Sequence, residues 1–445
     1  MPTRYKGVSP VIGHDLLKLV RSRTVHSVEV GFVDLLGRLR GVRLPATGLA
    51  QAMEQGLPVP ADLLTLPRGA HVADRRGLPE HTVCLRPDLP TSRLLPWAEG
   101  TAFLFGNLTD AAGRAHALCT RSALHRIAEA AGAAGYTAIG AAEQEFYLLD
   151  PATRRPQYSG IQNYSIYRGA LIEPVMVQLR NLLRQAGVPI AGSNTEYGPA
   201  QVEVNIEHAE VLEAADRVIF LRAAARALAA RHGYIVTFMA KPWAEESGNG
   251  FHIHQSLWTR AGENAFYDPV TGALSETGRH YLAGLLRRIG EFTAFGSHTP
   301  NAYKRRSDLS FCPTNICWGG DNRTVAVRVI EEGPGATRIE QRDAAADCNP
   351  YLAFGAQLAA GLEGIRAGWQ PPPRAEGNAY DGRFGYEPLP ASLEAALAAL
   401  AAGEAAEPAF GPELVSAYRQ LLTAEGEAYR LSVSDWERER YLSED

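Results

Sequence analysis

Alternation of hydrophobic and polar residues predicts strands in the first quarter of the chain. Val28, Val30 and Phe32 alternate with polar neighbours and precede a Leu36-Gly37 turn signal, which predicts a hairpin over residues 25–44. The next stretch is rich in proline and glycine, and it predicts short strands and long loops up to residue 100. Because 445 residues exceed what one core usually supports, we place a domain boundary near residue 106, between domains 1–106 and 107–445.

A hydrophobic stripe that recurs every three or four residues predicts helices along the rest of the chain. The clearest covers residues 120–135, with Thr120 as the expected N-cap and Gly132 or Gly135 near its end. Further helices are expected over residues 9–22, 171–187, 209–232 and 391–403, with a surface loop over 371–390. Strands and helices alternate without a regular βαβ rhythm, which favours an α+β fold with a curved, mostly antiparallel sheet.

Four segments of the second domain carry ionisable or amide side chains at every second position, which is the period of a strand. They are Glu143-Gln144-Glu145, Gln201-Val202-Glu203-Val204-Asn205, His252-Ile253-His254 and Arg338-Ile339-Glu340-Gln341-Arg342. Glu196 joins them, just before a Gly198-Pro199 turn signal. Carboxylates that face one cavity stay ionised together only beside cations, because repulsion and desolvation favour protonation. Oxygen ligands with an imidazole indicate Mg²⁺ or Mn²⁺, and nearby arginines indicate phosphate, so the pattern is typical of metal-dependent phosphoryl transfer.

Each segment taken alone has a simpler interpretation. Two glutamates at i and i+2 often mark a solvated strand face, and a lone histidine is more often a satisfied core residue. Arg338-x-Glu340-x-Arg342 also suits a structural ion-pair ladder, although Arg323, Arg328 and Lys304-Arg305 extend its positive face. The chain has no GxxxxGK[ST] motif and no GxGxxG that opens a helix, which excludes P-loop and Rossmann nucleotide sites.

Composition and charge narrow the class of partner. Hydrophobic residues make up 46% of the chain and charged residues 21%, which is ordinary globular composition. A net charge of −5 gives no reason to expect nucleic acid or an acidic membrane as partner, and no run of 18 apolar residues occurs. The five cysteines form no CxxC pair, which favours free thiols in a reducing cytoplasm.

Taken together, the motifs resemble those of the glutamine synthetase family, in order and across nearly the whole chain. The matching pieces are Val33-Asp-Leu-Leu-Gly-Arg-Leu-Arg-Gly, Glu143-x-Glu145, Glu196-Tyr-Gly-Pro-Ala-Gln-Val-Glu203, Gly248-Asn-Gly-Phe-His252-Ile-His254, Asn301-x-Tyr-Lys-Arg305, Asn322-Arg323 through Arg328, Arg338-Ile-Glu-Gln-Arg342, Asn349-Pro-Tyr and Asp435-Trp-Glu-Arg. The resemblance implies an N-terminal β-grasp domain and a catalytic domain whose antiparallel sheet forms a funnel. It also implies a homo-oligomer, commonly a dodecamer, with active sites between adjacent subunits.

The resemblance further implies a role for each site residue. One Mg²⁺ would be held by Glu145, Glu196 and Glu203, and the other by Glu143, His252 and Glu340. Nucleotide phosphates and the transferred phosphoryl group would contact Arg323, Arg328, Arg338 and Arg342. Glutamate would be held by Arg305 and the Gly248 backbone, and the nucleotide would lie near His254 and Ser256. The implied reaction uses ATP to turn the γ-carboxylate of L-glutamate into an acyl phosphate, which a nitrogen nucleophile then attacks.

Two departures from the family pattern concern the nucleophile. Members that use ammonia carry an Asp-Gly-Ser-Ser segment, which is missing between Pro45 and Gly69, where Asp62 is the nearest acidic candidate. Phe311 stands where their flap carries a glutamate, and Ser247 replaces a common asparagine, which affects one glutamate contact. These changes favour an organic amine, with methylamine, ethanolamine, polyamines, alkylamines and arylamines all open. An ordinary ammonia-using glutamine synthetase is the alternative. An inactive structural or regulatory relative is a second, although its six metal ligands would then be costly to keep.

Overall fold

The computed structural model describes residues 12–69, 81–307 and 310–443. None of the helices in these ranges combines the length and the apolar character that crossing a membrane requires. The fold is α+β, as the sequence predicts, and it is built on two sheets.

The first sheet is mixed, and its neighbours run in the order β2-β1-β6-β4-β3, with β5 paired to β6. Its strands are β1 (Ser27–Val33), β2 (Leu39–Pro45), β3 (Leu57–Pro60), β4 (Thr82–Pro87), β5 (Arg93–Leu94) and β6 (Thr101–Thr109). The predicted hairpin is confirmed as the antiparallel pair β1–β2, whereas β1 and β6 are parallel. Gly37 turns the hairpin with φ +78°, and a Cβ there would lie 2.9 Å from Asn349 Cα.

The second sheet is mostly antiparallel and curved, in the order β12-β13-β14-β11-β7-β9-β8, with β10 paired to β7. Its strands are β7 (Tyr136–Leu149), β8 (Ile190–Thr195), β9 (Gln201–Glu210), β10 (Ile235–Thr237), β11 (Phe251–Thr259), β12 (Trp318–Gly319), β13 (Val327–Ile330) and β14 (Arg338–Gln341). Each of the four predicted period-two segments lies on one of its four consecutive strands β14, β11, β7 and β9.

The helices are α1 (Asp15–Arg21), α2 (Leu49–Gln55), α3 (Thr120–Ala133), α4 (Ile166–Gly169), α5 (Glu173–Gln185), α6 (Val211–Arg231), α7 (Glu276–Gly296), α8 (Pro300–Tyr303), α9 (Pro350–Ala367), α10 (Leu393–Ala402), α11 (Ala406–Phe410), α12 (Pro412–Leu431) and α13 (Asp435–Tyr441). Four of the predicted helices are confirmed as α3, α5, α6 and α10, whereas the long helices α7, α9 and α12 were not predicted. The predicted helix over residues 9–22 is shorter, and its residues 9–11 lie outside the described ranges. The predicted loop over 371–390 contains one 3₁₀ turn, Gly382–Phe384.

Two expectations about local structure are wrong. Helix α2 lies where only strands and loops were expected, because a seven-residue helix between prolines and glycines leaves little periodic signal. Thr120 is not the N-cap of α3, since that position belongs to Cys119. The Thr120 hydroxyl instead accepts a hydrogen bond from Asn349 Nδ2 at 3.3 Å, so a tertiary contact takes the place of the cap.

The core leaves one face of the second sheet to polar side chains. Helices pack on the outer face of this sheet through buried residues such as Leu179, Leu221 and Phe354. A separate cluster that includes Val30 and Leu104 forms the core of the first sheet. Residue 106, near which the sequence analysis places the domain boundary, lies within strand β6, and the division into 1–106 and 107–445 stays a prediction.

Candidate active site

Five of the six predicted metal ligands lie in cross-strand pairs on neighbouring antiparallel strands, with His254 as the sixth member of these pairs and Glu196 outside them. His252 of β11 lies opposite Glu143 of β7, and Glu145 of β7 lies opposite Glu203 of β9. His254 of β11 lies opposite Glu340 of β14. Because directly opposed residues project from the same face of a sheet, the strand register brings all six side chains to one surface.

Glu143 is the centre of one hydrogen-bonded group. Its carboxylate oxygens lie 2.7 Å from His252 Nδ1 and 3.1 Å from His254 Nε2. Arg338 Nε donates to His254 Nδ1 at 3.3 Å, which leaves Nε2 of that ring to donate to Glu143. Burial opposes ionisation of Glu143, but the hydrogen bonds with the two histidines hold its pKa well below its usual range.

Glu340 is fully buried and is bonded to two arginines. Its Oε2 accepts from Arg328 Nη1 at 2.6 Å, and its Oε1 accepts from Arg342. Burial works against ionisation of Glu340, and the charge of Arg342 with those of the two histidines lowers its pKa nonetheless. The ion-pair ladder that the sequence left open is therefore present only in part: Arg342 pairs with Glu340, whereas Arg338 pairs with Glu332. Arg328 supplies the second cation beside Glu340.

A second group of acidic residues surrounds Glu145. The amide N–H of Gly250 donates to Glu145 Oε2 at 2.7 Å, and a Cβ at position 250 would lie 3.0 Å from Arg305 Nη2 and from His252 Nε2. Glu196 follows strand β8, and Asn194 Nδ2 donates to its Oε1 at 2.9 Å.

The charges of this second group are uncompensated among the described residues. Burial, and then the charges of Glu143 and Glu145, raise the pKa of Glu203 to about 9. Burial and the charge of Glu145 raise the pKa of Glu196 to about 7. Both carboxyls would ionise fully at neutral pH if a cation lay between them and their neighbours.

The donor atoms fit hard divalent cations. Among the described residues, two sets have donor atoms that all lie within 4.8 Å of one another: Glu143, His252 and Glu340, and Glu145, Glu203 and His252. The first set is the one expected for one of the two metals. The second contains His252 where Glu196 was expected. Four carboxylates and one imidazole are ligands that suit Mg²⁺ or Mn²⁺.

These groups line a cavity of about 390 Å³, called here the funnel. Its wall includes the predicted residues Glu143, Glu145, Glu196, Glu203, His252, Gly248, Arg305, Phe311, Arg323, Arg328 and Arg342. Arg305 is buried and donates to the Ala344 carbonyl at 2.9 Å, while an added Cβ at Gly248 would lie 2.6 Å from its Cγ. Gly248 is therefore the residue that lets the chain pass close to Arg305.

Aromatic residues that sequence reasoning left without a role lie at the funnel with Phe311. The ring centroid of Phe311 is 5.9 Å from that of Tyr197, the side chains are 44% and 42% exposed, and both line the funnel with Tyr164. Phe311 and Tyr164 have φ values of +53°, which is unusual for residues with side chains. Tyr197 directly follows Glu196, and that adjacency was the one available signal. Tyr164 lies in a segment without periodicity.

Two candidates lie apart from this arrangement in the described residues. Ser256 is on the same face of β11 as the histidines, but it is not among the funnel-lining residues and its hydroxyl accepts from Trp258 Nε1 at 3.0 Å. Asp62 is buried in a 3₁₀ turn, Ala61–Leu64, and does not line the funnel of this chain. The Ser247 carbonyl accepts a hydrogen bond from the Tyr147 hydroxyl at 2.7 Å.

Comparison with known proteins points to one family. The family model of the glutamine synthetase catalytic domain matches residues 117–441. A glutamate–isopropylamine ligase from a Pseudomonas species is 35% identical, over 95% of this chain and 96% of its own length. A gamma-glutamylethanolamide synthetase from Streptomyces coelicolor is 34% identical, over 97% of this chain and 96% of its own length. A glutamine synthetase from Methanocaldococcus jannaschii is 32% identical, over 96% of this chain and 97% of its own length. The solved structure of GmaS with ADP has a TM-score of 0.87 at 29% identity, over 96% of this chain and 99% of that one.

Proposed function

Because the chain belongs to the glutamine synthetase family of carbon–nitrogen ligases and has the family's fold, we propose that it joins L-glutamate to an organic amine. The reaction uses ATP with Mg²⁺ or Mn²⁺, passes through γ-glutamyl phosphate, and yields a γ-glutamyl amide, ADP and phosphate. The observation that carries the choice of amine is the pair of exposed aromatic rings, Phe311 and Tyr197, at the funnel.

The carboxylates of the funnel would hold the metal. We assign Glu145, Glu196 and Glu203 to one divalent ion, and Glu143, His252 and Glu340 to the other. His252 Nε2 faces the Glu145 side while its Nδ1 contacts Glu143, so one ring lies between the two groups. The ions would neutralise charge on the transferring phosphoryl group, which is the chemistry that such sites supply.

The arginines would bind the anionic substrates. Arg305, which lies beside Gly248, would bind a carboxylate of glutamate. Arg328 and Arg342 both donate to Glu340, and Arg328 also donates to the Gly320 carbonyl and to Asp321, so its contact with phosphate would replace one of these bonds. Arg323 is exposed and lines the funnel without an ion-pair partner among the described residues, which suits a group that meets phosphate only when nucleotide is bound. Arg338, His254 and Ser256 would lie toward the nucleotide.

The steps follow from this arrangement. An oxygen of the γ-carboxylate attacks the γ-phosphorus of ATP, the bond to the bridging oxygen breaks, and ADP leaves. The amine nitrogen then attacks the carbonyl carbon of the acyl phosphate, phosphate leaves, and the nitrogen loses a proton. Arg342 and Arg323 would stabilise the charge that develops on the phosphoryl oxygens.

An organic amine fits the aromatic pair better than ammonia does. Each methylene of the amine that is buried against a ring contributes about 0.8 kcal/mol, and a cationic or aryl amine can stack on the same surface. The names of two relatives point the same way, since they include isopropylamine and ethanolamide. The alternative nucleophile is ammonia, the substrate implied by the name of the glutamine synthetase relative.

The enzyme would act as a homo-oligomer in the cytoplasm. The segment Val33–Gly41 resembles the family segment that abuts a neighbouring funnel. All five cysteines lie in the described residues and are unpaired, in keeping with a reducing compartment.

The decisive experiment measures phosphate release from ATP and L-glutamate across a panel of amines. The panel includes ammonia, methylamine, ethanolamine, isopropylamine, a polyamine and an arylamine, and mass spectrometry identifies each amide. We expect kcat/KM for at least one primary amine to exceed that for ammonia by about 100-fold, equivalent to about 2.7 kcal/mol. If ammonia proves the best nucleophile of the panel, the chain is an ordinary glutamine synthetase. If no nucleophile supports turnover, it is an inactive relative.

A further inference from the structure

A second cavity, called here the arginine cavity, lies between the β1–β2 turn and helix α6 and measures about 370 Å³. Four of its lining residues are arginines: Arg38 and Arg68 from the N-terminal part of the chain, and Arg222 and Arg226 from α6. Asp347 is the one carboxylate among the described residues that line it. No residue that lines the funnel of this chain lines this cavity, so the two cavities are distinct within the chain.

Two of the four arginines lack a carboxylate partner. Arg38 Nε is 2.7 Å from Asp34 Oδ2, and Arg68 Nη2 is 3.5 Å from Asp347 Oδ2. Within the described ranges, no carboxylate lies within ion-pair distance of Arg222 or Arg226. The cavity therefore holds about two positive charges that the described protein does not neutralise.

Neighbouring groups do not supply the missing negative charge. The Cys348 thiol lies beside Arg222, but burial raises its pKa to about 12 and keeps it neutral at physiological pH. His298 contacts Arg68, and burial lowers its pKa to about 3, so its ring is also neutral. Because both neighbours are uncharged, they do not reduce the excess positive charge of the arginine cavity.

Arg222 lines the arginine cavity and has one donor that no described residue uses. Arg222 is only 5% exposed. Its Nε donates to Gln144 Oε1 at 2.8 Å, and its Nη1 donates to the Cys348 carbonyl at 2.6 Å. Nη2 is buried and has no hydrogen-bond partner in the described part of the chain. A buried charged donor left without an acceptor is destabilising, so an acceptor from outside the protein would be favoured there.

Arg226 lies at the exposed mouth of the arginine cavity. Its guanidinium is 4.8 Å from the centroid of the Phe238 ring, and partial desolvation with the charges of Arg222 and Arg68 lowers its pKa to about 10. Repulsion between these cations is relieved when an anion lies between them.

We propose that the arginine cavity binds a small oxyanion that carries two negative charges, either a phosphate or a dicarboxylate, between Arg222 and Arg226. Guanidinium groups match both kinds of oxyanion with paired N–H donors. The volume is at the lower end of the range of small-molecule pockets, which favours a compact ligand over a nucleotide.

Isothermal titration of the full chain with inorganic phosphate, and separately with succinate, tests this proposal. The variants are Arg226→Gln, which removes the charge, and Arg226→Lys, which keeps the charge and most of the stem but loses the two-pronged donor. The matched control is Arg184→Gln, an exposed arginine near the end of α5. Because none of these changes touches the funnel, anion bound there contributes equally, and the difference between variants reports the arginine cavity.

We expect Arg226→Gln to weaken the binding of one or both anions at this site by about tenfold or more, with a smaller loss for Arg226→Lys and none for Arg184→Gln. If phosphate binds more tightly than succinate, the ligand carries a phosphate group; if succinate binds more tightly, the ligand is a dicarboxylate. Either result supports the site. If Arg226→Gln does not fold, the loss in Arg226→Lys decides. Unchanged binding of both anions in every folded Arg226 variant, or no binding beyond the funnel in the wild type, overturns the proposal.

Discussion

Glu145 illustrates how much chemistry depends on a single carboxylate in the funnel. It accepts a hydrogen bond from the Gly250 amide and lies opposite Glu203, so under the proposed assignment its removal takes away one ligand of a cation. We expect Glu145→Ala to lower ATP-dependent ligation by more than about 100-fold and to lose bound Mn²⁺ in a paramagnetic resonance titration, while the circular dichroism spectrum is unchanged.

The matched control for this variant is Glu207→Ala, an exposed glutamate on the neighbouring strand β9. It should keep its activity and its Mn²⁺. Chelation should stop turnover of the wild type, and added Mg²⁺ or Mn²⁺ should restore it. Near-wild-type rates in Glu145→Ala, or in the corresponding Glu340→Ala, would contradict the two-metal assignment.

Phe311 is the residue at which the choice of nucleophile can be tested. Replacing its ring by a carboxylate removes apolar surface beside Tyr197 and supplies an anion that favours ammonium. We expect Phe311→Glu to reduce the ratio of kcat/KM for the best amine to that for ammonia by about tenfold or more. Phe384→Glu places the same charge in the 371–390 loop and should leave the ratio unchanged. A ratio that Phe311→Glu does not alter would remove Phe311 from the amine site.

At the scale of elements, Asn349 joins helix α9 to the β1–β2 turn. Its Oδ1 accepts the Tyr351 amide as an N-cap, while its Nδ2 donates to the carbonyl of Asp34 at 3.0 Å. Asn349→Ala removes both of these hydrogen bonds, and we expect the free energy of unfolding to fall by about 3 kcal/mol. Ser392→Ala, which removes only the exposed cap of α10, should cost about 1 kcal/mol. Equal losses in a denaturant titration would mean that the link to the turn contributes nothing.

The elements also explain which parts of the site were predictable from the sequence. Period-two alternation requires that Glu143 and Glu145 share a face of their strand, because successive side chains point to opposite faces. It cannot indicate that Glu143 meets His252, 109 residues further along the chain, because strand pairing depends on tertiary packing. That expectation came from the family resemblance.

Tertiary contacts account for the remaining differences from the sequence analysis. Threonine is a residue type that often caps helices, but the Thr120 hydroxyl accepts a hydrogen bond from Asn349 instead. Tyr164 reaches the funnel because its backbone adopts a positive φ, which no pattern of hydrophobic residues reports.

At the scale of the whole molecule, apolar side chains remain uncovered at the C-terminal end. Leu431 and Leu442 are 73% and 80% exposed, and Trp436 of α13 is 58% exposed, which would suit a contact with another subunit. We expect light scattering after gel filtration to give a mass well above 48.2 kDa, and Trp436→Ser to shift it toward that of the single chain. Trp243→Ser, a partly buried tryptophan in a loop, is the control. A fully active species of one chain at micromolar concentration would exclude shared active sites.

The order of strands in the first sheet has a consequence for the synthesis of the protein. Strand β6 is the last of the six to be made, yet it lies between β1 and β4 and pairs with both. At about 5–20 residues per second, a ribosome completes β6 roughly 4–17 seconds after it begins β1. During that interval strand β1 of the β1–β2 pair and strand β4 of the β3–β4 pair each lack the partner that β6 provides. Such unpaired edges are sites at which strands of other chains can add. The nascent chain should therefore need protection by a chaperone most before residue 109 emerges, at a stage when the strands that carry the funnel residues have yet to pair.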